Sequence, residues 1–406
     1  MQTGAHILVL SAHDSHLDRR IVAEANALAA SGRHVTLLSV PTGLAPEGLD
    51  GRIRLIVAKS DQSECVSPAK RAARRLPAPL RTLAQAAWYR WGAGPSPYNT
   101  GYFRRNAPAE RFDAIHCHDL KTLPAGSEIR AASCRAAKLI YDSHELFPFQ
   151  SASRAFQRYW MRIERRHIAQ ADLVITVNES IASELARLYG VTKPHVLYNS
   201  YGAGGAWEAV AEEAFLRHFH AQGREPRILF QGGLAAGRNL ANLVRAFGRL
   251  EGRARLFLLG AGPKEAALRR ICGRARIGAV HFGPWVEQSR LLSFVAAAHL
   301  GVIPYLGDRI LNNRYCTPNK LFEFIEAGVP VCGSDLPELR RIIRGFGVGE
   351  VYPMRTPDQI AAALSDCLSR RESGKFTKEA SGAARAELSW SKQAERFLRW
   401  YGQLGV

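Results

Sequence analysis

The chain has 406 residues, enough for two domains with their own cores, and its 47% hydrophobic content is that of a globular protein and excludes a disordered chain. Fifty-five lysines and arginines against 36 acids leave a net charge of +19, which calls for an anionic partner: nucleic acid, an acidic membrane surface or a phosphorylated substrate. No apolar run reaches the length that crosses a bilayer, and Met1 to His6 lacks the charged-then-apolar pattern of a signal peptide, so a cytoplasmic protein is expected.

In chain order, His6–Ser11 is a short apolar run, followed by a polar loop with His13, Asp14, His16 and Asp18. Arg19–Ser31 has helical spacing, with Ile21, Ala25 and Leu28 on one face and Gly32 as the stop. Val35–Val40 is the next strand, which makes a βαβ unit of a parallel sheet. The loop carries no Gly-rich fingerprint, so it need not bind a dinucleotide. Asp18 either caps the helix or lines a site with Asp14, and Arg19 stands beside it.

Residues 68–112 change texture: Lys70, Arg71, Arg74, Arg75, Arg81, Arg90, Arg104, Arg105 and Arg111 face a single acid, Glu110, with Trp88, Tyr89, Trp91, Tyr102 and Phe103 interleaved. This composition suits an anionic membrane surface. The alternative is a helical insertion whose aromatics pack on their own domain. A nucleic-acid partner is disfavoured, because no nucleic-acid-binding motif accompanies the patch.

Two further strands end in histidine and acid: Asp113–Asp119, with His118 and Asp119 at its end, and Lys138–Glu145, with Asp142, His144 and Glu145. Open α/β sheets bind ligands beyond the carboxyl ends of their strands, so these residues are candidate site groups. Arg154–His167 is a very basic helical stretch, and further strand and helix segments lead to Asn199. A glycine-containing linker with one short helix covers 200–226, and a second βα series then begins at Arg227. Its turns contain Gly232-Gly233 and Gly260-Ala261-Gly262-Pro263.

In Thr317–Pro330, Thr317 reads as an N-cap, Pro318 as the first helical residue and Gly328 as the stop. Lys320 in the first turn opposes the helix dipole unless an anion is bound there, so the helix start suits a phosphate. Glu323 lies one turn on, within reach of a sugar hydroxyl beside that anion. A last helix, Ser391–Gln403, closes the chain. The expected fold is α/β: two Rossmann-like βα-repeat domains facing across a cleft, residues 1–200 joined by the C-terminal helix 390–406, and residues 201–389. Seven dispersed cysteines without a CxxC pair imply buried thiols in a reducing compartment, not disulfides or a zinc site.

These motifs, in this order and spacing, resemble GT-B glycosyltransferases of family 4: the Leu28–Val35 spacing, Tyr141-Asp142-Ser143-His144-Glu145, Asp172–Val177, Asn199, Gly233–Arg238, Gly260–Pro263 and Pro318–Val331. The resemblance implies a retaining transferase that moves a sugar from a nucleoside-diphosphate sugar to a lipid-linked or polysaccharide acceptor. It implies that Arg238 and Lys320 grip the donor diphosphate and that His144 approaches the donor sugar. Glu323 would meet the ribose, and Gly233, Gly262, Asn319 and Leu321 would line the donor site. Asp14, Arg19, Asp119, Asp142 and Glu145 are placed on the acceptor side or in the cleft. Where the family carries the first of two paired glutamates this chain has Tyr315, and Asn313 or Asn319 is the candidate replacement. No Asp-x-Asp motif is present, which fits a metal-independent site with no cofactor beyond the donor. A nucleotide-sugar epimerase and a non-catalytic binding protein of the same fold are the alternatives. The basic first domain would place the protein at the inner face of a membrane.

Overall fold

A computed structural model describes residues 4–12, 19–40, 48–57, 77, 80, 87, 99–200, 208–250 and 252–406. Asp14, Asp18 and most of the basic segment 68–112 lie outside these residues. The chain forms two compact units, Met1–Tyr198 with Gln393–Val406, and Asn199–Lys392.

The first unit runs β1 (His6–Ser11), α1 (Arg19–Ala30), β2 (His34–Ser39), β3 (Arg54–Val57), α2 (Asn99–Asn106), β4 (Ala114–His118), α3 (Leu123–Ser133), β5 (Lys138–Ser143), α4 (Arg154–Ile168), β6 (Leu173–Thr176), α5 (Glu179–Tyr189) and β7 (His195–Val196). Its sheet is parallel throughout, in the order β3-β2-β1-β4-β5-β6-β7. β1 is buried on both faces and reads as an apolar run, while β4 and β5 are equally buried yet carry His116, His118 and Asp142. The strand order reverses between β1 and β4, so the crevice at their carboxyl ends is the natural ligand position.

The second unit runs α6 (Glu212–His218), β8 (Arg227–Gln231), α7 (Leu240–Phe247), β9 (Arg255–Leu259), α8 (Glu265–Arg274), β10 (Val280–Gly283), α9 (Gln288–Ala296), β11 (Leu300–Ile303), α10 (Leu311–Arg314), α11 (Asn319–Glu326), β12 (Val331–Ser334), α12 (Pro337–Phe346), β13 (Gly349–Tyr352), α13 (Pro357–Glu372) and α14 (Lys378–Leu388). Its parallel sheet is ordered β10-β9-β8-β11-β12-β13, with the reversal between β8 and β11. The C-terminal helix Trp390–Leu404 belongs to the first unit from Gln393 onward, where it buries Phe397 and Tyr401.

Two expectations are corrected. The helix expected to start at Pro318 starts at Asn319, and Pro318 takes the cap position with extended ψ, leaving Thr317 outside. Its far end follows the sequence: Gly328 is left-handed at φ +68°, Gly328 N–H donates to the Ile325 carbonyl and Val329 N–H to the Phe324 carbonyl. That is a Schellman stop, which only glycine enters without strain. The second correction concerns the basic segment, where two of its aromatics are not surface groups. Tyr102 and Phe103 on α2 are buried, and the Tyr102 hydroxyl donates to the Ser39 carbonyl at 2.8 Å. Burial of two rings in the core outweighs any interfacial role for them.

Candidate functional site

In the second unit the reversal point gathers the end of β8, the end of β11 and the start of α11. The Lys320 ammonium lies there, 3.3 Å from the centre of the Phe230 ring and 5.2 Å from that of Tyr305. It is buried and makes no hydrogen bond among the described residues. The Arg238 guanidinium stands 4.4 Å from the same Tyr305 ring. Aromatic faces attract cations, so Phe230 and Tyr305 hold two positive groups together, with the Glu323 carboxyl close enough to offset part of the charge. Burial, and then repulsion from Arg238, pushes the Lys320 ammonium well below its ordinary pKa. Two cations so placed suit an anionic ligand.

The surrounding backbone leaves room for it. Gly232 is at φ +121°, and a Cβ there would sit 3.3 Å from Lys320 Nζ and cover it. A Cβ on Gly262 would lie 2.6 Å from the Leu234 carbonyl oxygen, so glycine lets the loops after β8 and β9 join backbone to backbone. They do so through Leu234 N–H to Ala261 O and Lys264 N–H to Leu234 O. Gly233 is exposed. Glu323 is buried, and Gln231 Nε2 donates to it at 3.2 Å. Asn319 is exposed and accepts from Asn199 at 2.8 Å. Tyr315 closes α10, and Asn313 reaches the turn at Gly237 beside Arg238. Leu321 is the exception: its side chain is fully buried in the core, so it supports the helix and cannot contact a ligand with that side chain.

In the first unit, β4 and β5 end in a charged cluster. His144 Nε2 is 3.2 Å from Asp142 Oδ2 and 3.1 Å from His118 Nδ1, and its Nδ1 is 3.7 Å from Asp119 Oδ2. Burial works against a charged His144, but Asp119 and then Asp142 outweigh it and hold the imidazolium up to about 10. Asp142 is 0% exposed and takes a bidentate pair from Arg20, at 2.9 and 2.7 Å. Burial opposes its ionisation, yet Arg20 and His144 keep the carboxyl well below the usual range. Asp142 therefore organises the cluster from inside, while His144 and Glu145 are half-buried. Asp119 is in the left-handed region at φ 64°, a conformation that aspartate tolerates better than most residues. Arg19 opens α1, half-buried.

Glu24, His116, His118 and Asp142 bring ligand-type atoms within 4.8 Å of one another. Arg20 stands among them, 2.7 Å from Glu24 and paired with both Asp142 oxygens, and it supplies the positive charge that a metal would bring. Arg20, Glu24, His116 and Tyr401 were missed in the sequence reading. A signal for the first pair existed: Arg20 and Glu24, four apart, fall on the helix face that also carries Ile21, Ala25 and Leu28.

Two family models match this chain. A glycosyl transferase 4-like domain matches residues 17–202, and glycosyl transferases group 1 matches residues 225–370. The chain belongs to the GT-B glycosyltransferases of this family. An uncharacterized glycosyltransferase of Methanocaldococcus jannaschii is 26% identical over 273 residues, 64% of this chain and 67% of that protein. Phosphatidyl-myo-inositol mannosyltransferase of Mycobacterium tuberculosis is 35% identical over 99 residues, 21% of this chain and 26% of its own length. Sucrose-phosphate synthase from Thermosynechococcus elongatus shares the fold with a TM-score of 0.73 at 18% identity, covering 98% of this chain and 99% of that one. Anabaena HepE, in complex with UDP and glucose, does so with a TM-score of 0.68 at 12% identity, covering 98% and 100%. No helix among the transferase's described residues is long and apolar enough to cross a membrane.

Proposed function

We propose that this transferase moves a sugar from a nucleoside-diphosphate sugar to an acceptor, with Lys320 and Arg238 holding the donor diphosphate. One observation carries the reading: a buried ammonium without a hydrogen-bond partner among the described residues, beside a guanidinium, at the reversal point of a parallel sheet. A cation pair of this kind is preorganised for an anion, and it is worth most as charge develops on the departing diphosphate. The reaction is retaining and metal-independent: the leaving phosphate accepts the acceptor's proton on the face it leaves from, and the two cations and the start of α11 carry its charge. Glu323 is assigned to the ribose and His144, charged, to the sugar. The UDP and UDP-glucose complexes of the fold neighbour HepE support the donor class.

A thermal-shift screen with UDP, GDP, ADP and TDP tests the donor site. At 100 times Kd a cognate nucleotide stabilises the unit that binds it by about 2.7 kcal/mol, a rise of several degrees. No shift with any of the four at millimolar concentration would overturn the assignment.

The acceptor is proposed to be lipid-linked, at an anionic membrane surface. Arg154, Arg158, Arg162, Arg165 and Arg166 are exposed along α4, and Arg104 and Arg105 are exposed at the end of the 68–112 segment. The partial relative named for phosphatidyl-myo-inositol supports this choice. The protein is expected to float with anionic but not neutral vesicles at low salt, and to be released as the Debye length shrinks. Equal behaviour with both vesicle types removes the electrostatic part of the proposal.

A further inference from the structure

We propose that Gln231, at the end of β8, is a positioning residue for Glu323, and that through it the site prefers a ribonucleotide to its deoxy analogues. The proposal rests on the assignment of Glu323 to the ribose made above.

β8 is a central strand, between β9 and β11, and Ile228, Leu229 and Phe230 on it are fully buried. Gln231 continues that run at 2% exposure and pairs in register with Leu259 of β9. An apolar side chain would bury there at no polar cost. The amide instead gives one half to Glu323, by the 3.2 Å bond from Nε2 to Oε2, and its Oε1 has no hydrogen-bond partner among the described residues. A carboxylate only accepts, so the amide must turn its NH2 group towards it and its carbonyl away. A buried acceptor without a donor is destabilising, and the bond to Glu323 is the interaction that offsets it.

The backbone brings the two residues together. A Cβ on Gly301 of β11 would lie 2.6 Å from the Phe324 ring. Glycine there lets α11 press onto the sheet, and Glu323, next to Phe324, comes down on the end of β8.

Glu323 has a competing neighbour. Lys320 lies three residues earlier on α11, the spacing at which a lysine and a glutamate meet on one helix face. Glu323 acts on the ammonium electrostatically and favours its charged form. Yet Lys320 Nζ makes no hydrogen bond among the described residues, to Glu323 or to any other. Gln231 holds the carboxylate off the ammonium. Both charges are thereby kept for the donor: the ammonium for the diphosphate, and the carboxylate for a hydroxyl of the adjoining ribose. A carboxylate fixed in advance loses little freedom on binding. It also cannot turn away when the hydroxyl is missing, so a deoxy analogue leaves a desolvated oxygen short of a donor, and a fixed site does not relax to repair the loss.

The test is calorimetric titration of the full chain with UDP, 2′-deoxy-UDP and 3′-deoxy-UDP, or with the guanine set if GDP gives the larger shift in the nucleotide screen. The wild-type protein is expected to bind at least one deoxy analogue about 10-fold or more weakly than the ribonucleotide. Gln231→Met keeps the length of the side chain and removes the amide. In it the ribonucleotide binds more weakly, and the penalty on the deoxy analogue falls to about 3-fold or less. Gln231→Asn, one methylene shorter, is expected to do the same, and it serves if the methionine variant does not fold. Added to Glu323→Ala, Gln231→Met should alter the ratio no further, since a positioning residue acts only through the residue it positions. An unchanged ratio in the Gln231 variants overturns the proposal. So does an equal weakening of ribonucleotide and deoxy analogue, which is what a glutamine that only supports the fold would give. A wild-type protein that binds all three nucleotides alike refutes the ribose assignment of Glu323 itself, which separates the two failures.

Discussion

Lys320→Ala is expected to cut turnover of the nucleoside-diphosphate sugar by about 100- to 1000-fold, the range found when one preorganised group facing a developing charge is removed. Arg238→Ala should fall in the same range. The double variant should lose less than the product of the two, because both cations act on one diphosphate. The fold should survive Lys320→Ala. The ammonium is buried without a hydrogen-bond partner among the described residues, so its removal relieves a desolvation cost. The unliganded melting temperature should stay level or rise while turnover collapses, the trade expected where a site stores strain for its ligand. Normal turnover in both variants would remove the diphosphate assignment.

Binding should also move a proton. Lys320 is held well below its ordinary pKa of 10.5 when free, and a bound diphosphate raises it. Nucleotide binding therefore takes up a proton, and affinity declines as pH rises through the interval between the free and bound values. Calorimetry in buffers of different ionisation enthalpy reads this uptake directly.

The second large effect is on stability. Arg20→Leu should destabilise the first unit by about 3–5 kcal/mol, because it strands a buried carboxylate. Arg20 and Asp142 are both fully buried, and Arg20 also donates to the Leu197 carbonyl and pairs with Glu24. Arg20→Lys should not restore stability, since an ammonium cannot make the bidentate pair. Urea unfolding of both variants measures this, and a wild-type midpoint in Arg20→Leu would show that the pair contributes nothing. The same cluster sets the pH range. Asp142 is depressed, so its contribution is present above the unfolded carboxyl value near ~3.9 and is lost as pH falls through the folded one. His144 is raised, so its contribution is complete below the unfolded histidine value near ~6.5 and disappears as pH rises through about 10.

Much of the fold was legible because parallel strands are buried on both faces and stand out as apolar runs between helical periods. β1, β8 and β9 follow that rule. Helix α14 was missed: its stretch, with Ser381, Gly382 and a run of alanines, has few large apolar residues, although Thr377 caps it as a helix start should be capped. The start of α11 was off by one residue, since proline fits both the cap and the first turn.

Sequence alone determined the two-sheet α/β plan and the choice of Lys320, because a lysine in a first helical turn contradicts the dipole unless an anion answers it. Only the tertiary structure decided what surrounds these residues. It laid Lys320 and Arg238 on the Phe230 and Tyr305 rings, residues up to 90 positions apart in the chain that no local pattern could pair. It turned Asp142 from a site residue into the buried anchor of His144, by bringing Arg20 from 122 residues away. It also put Tyr401 against His116 across 285 residues. The physical reason is the same in each case. Periodicity records which face of an element is buried, but a buried charge is stable only beside partners that other elements deliver, and those meetings exist only in the folded chain.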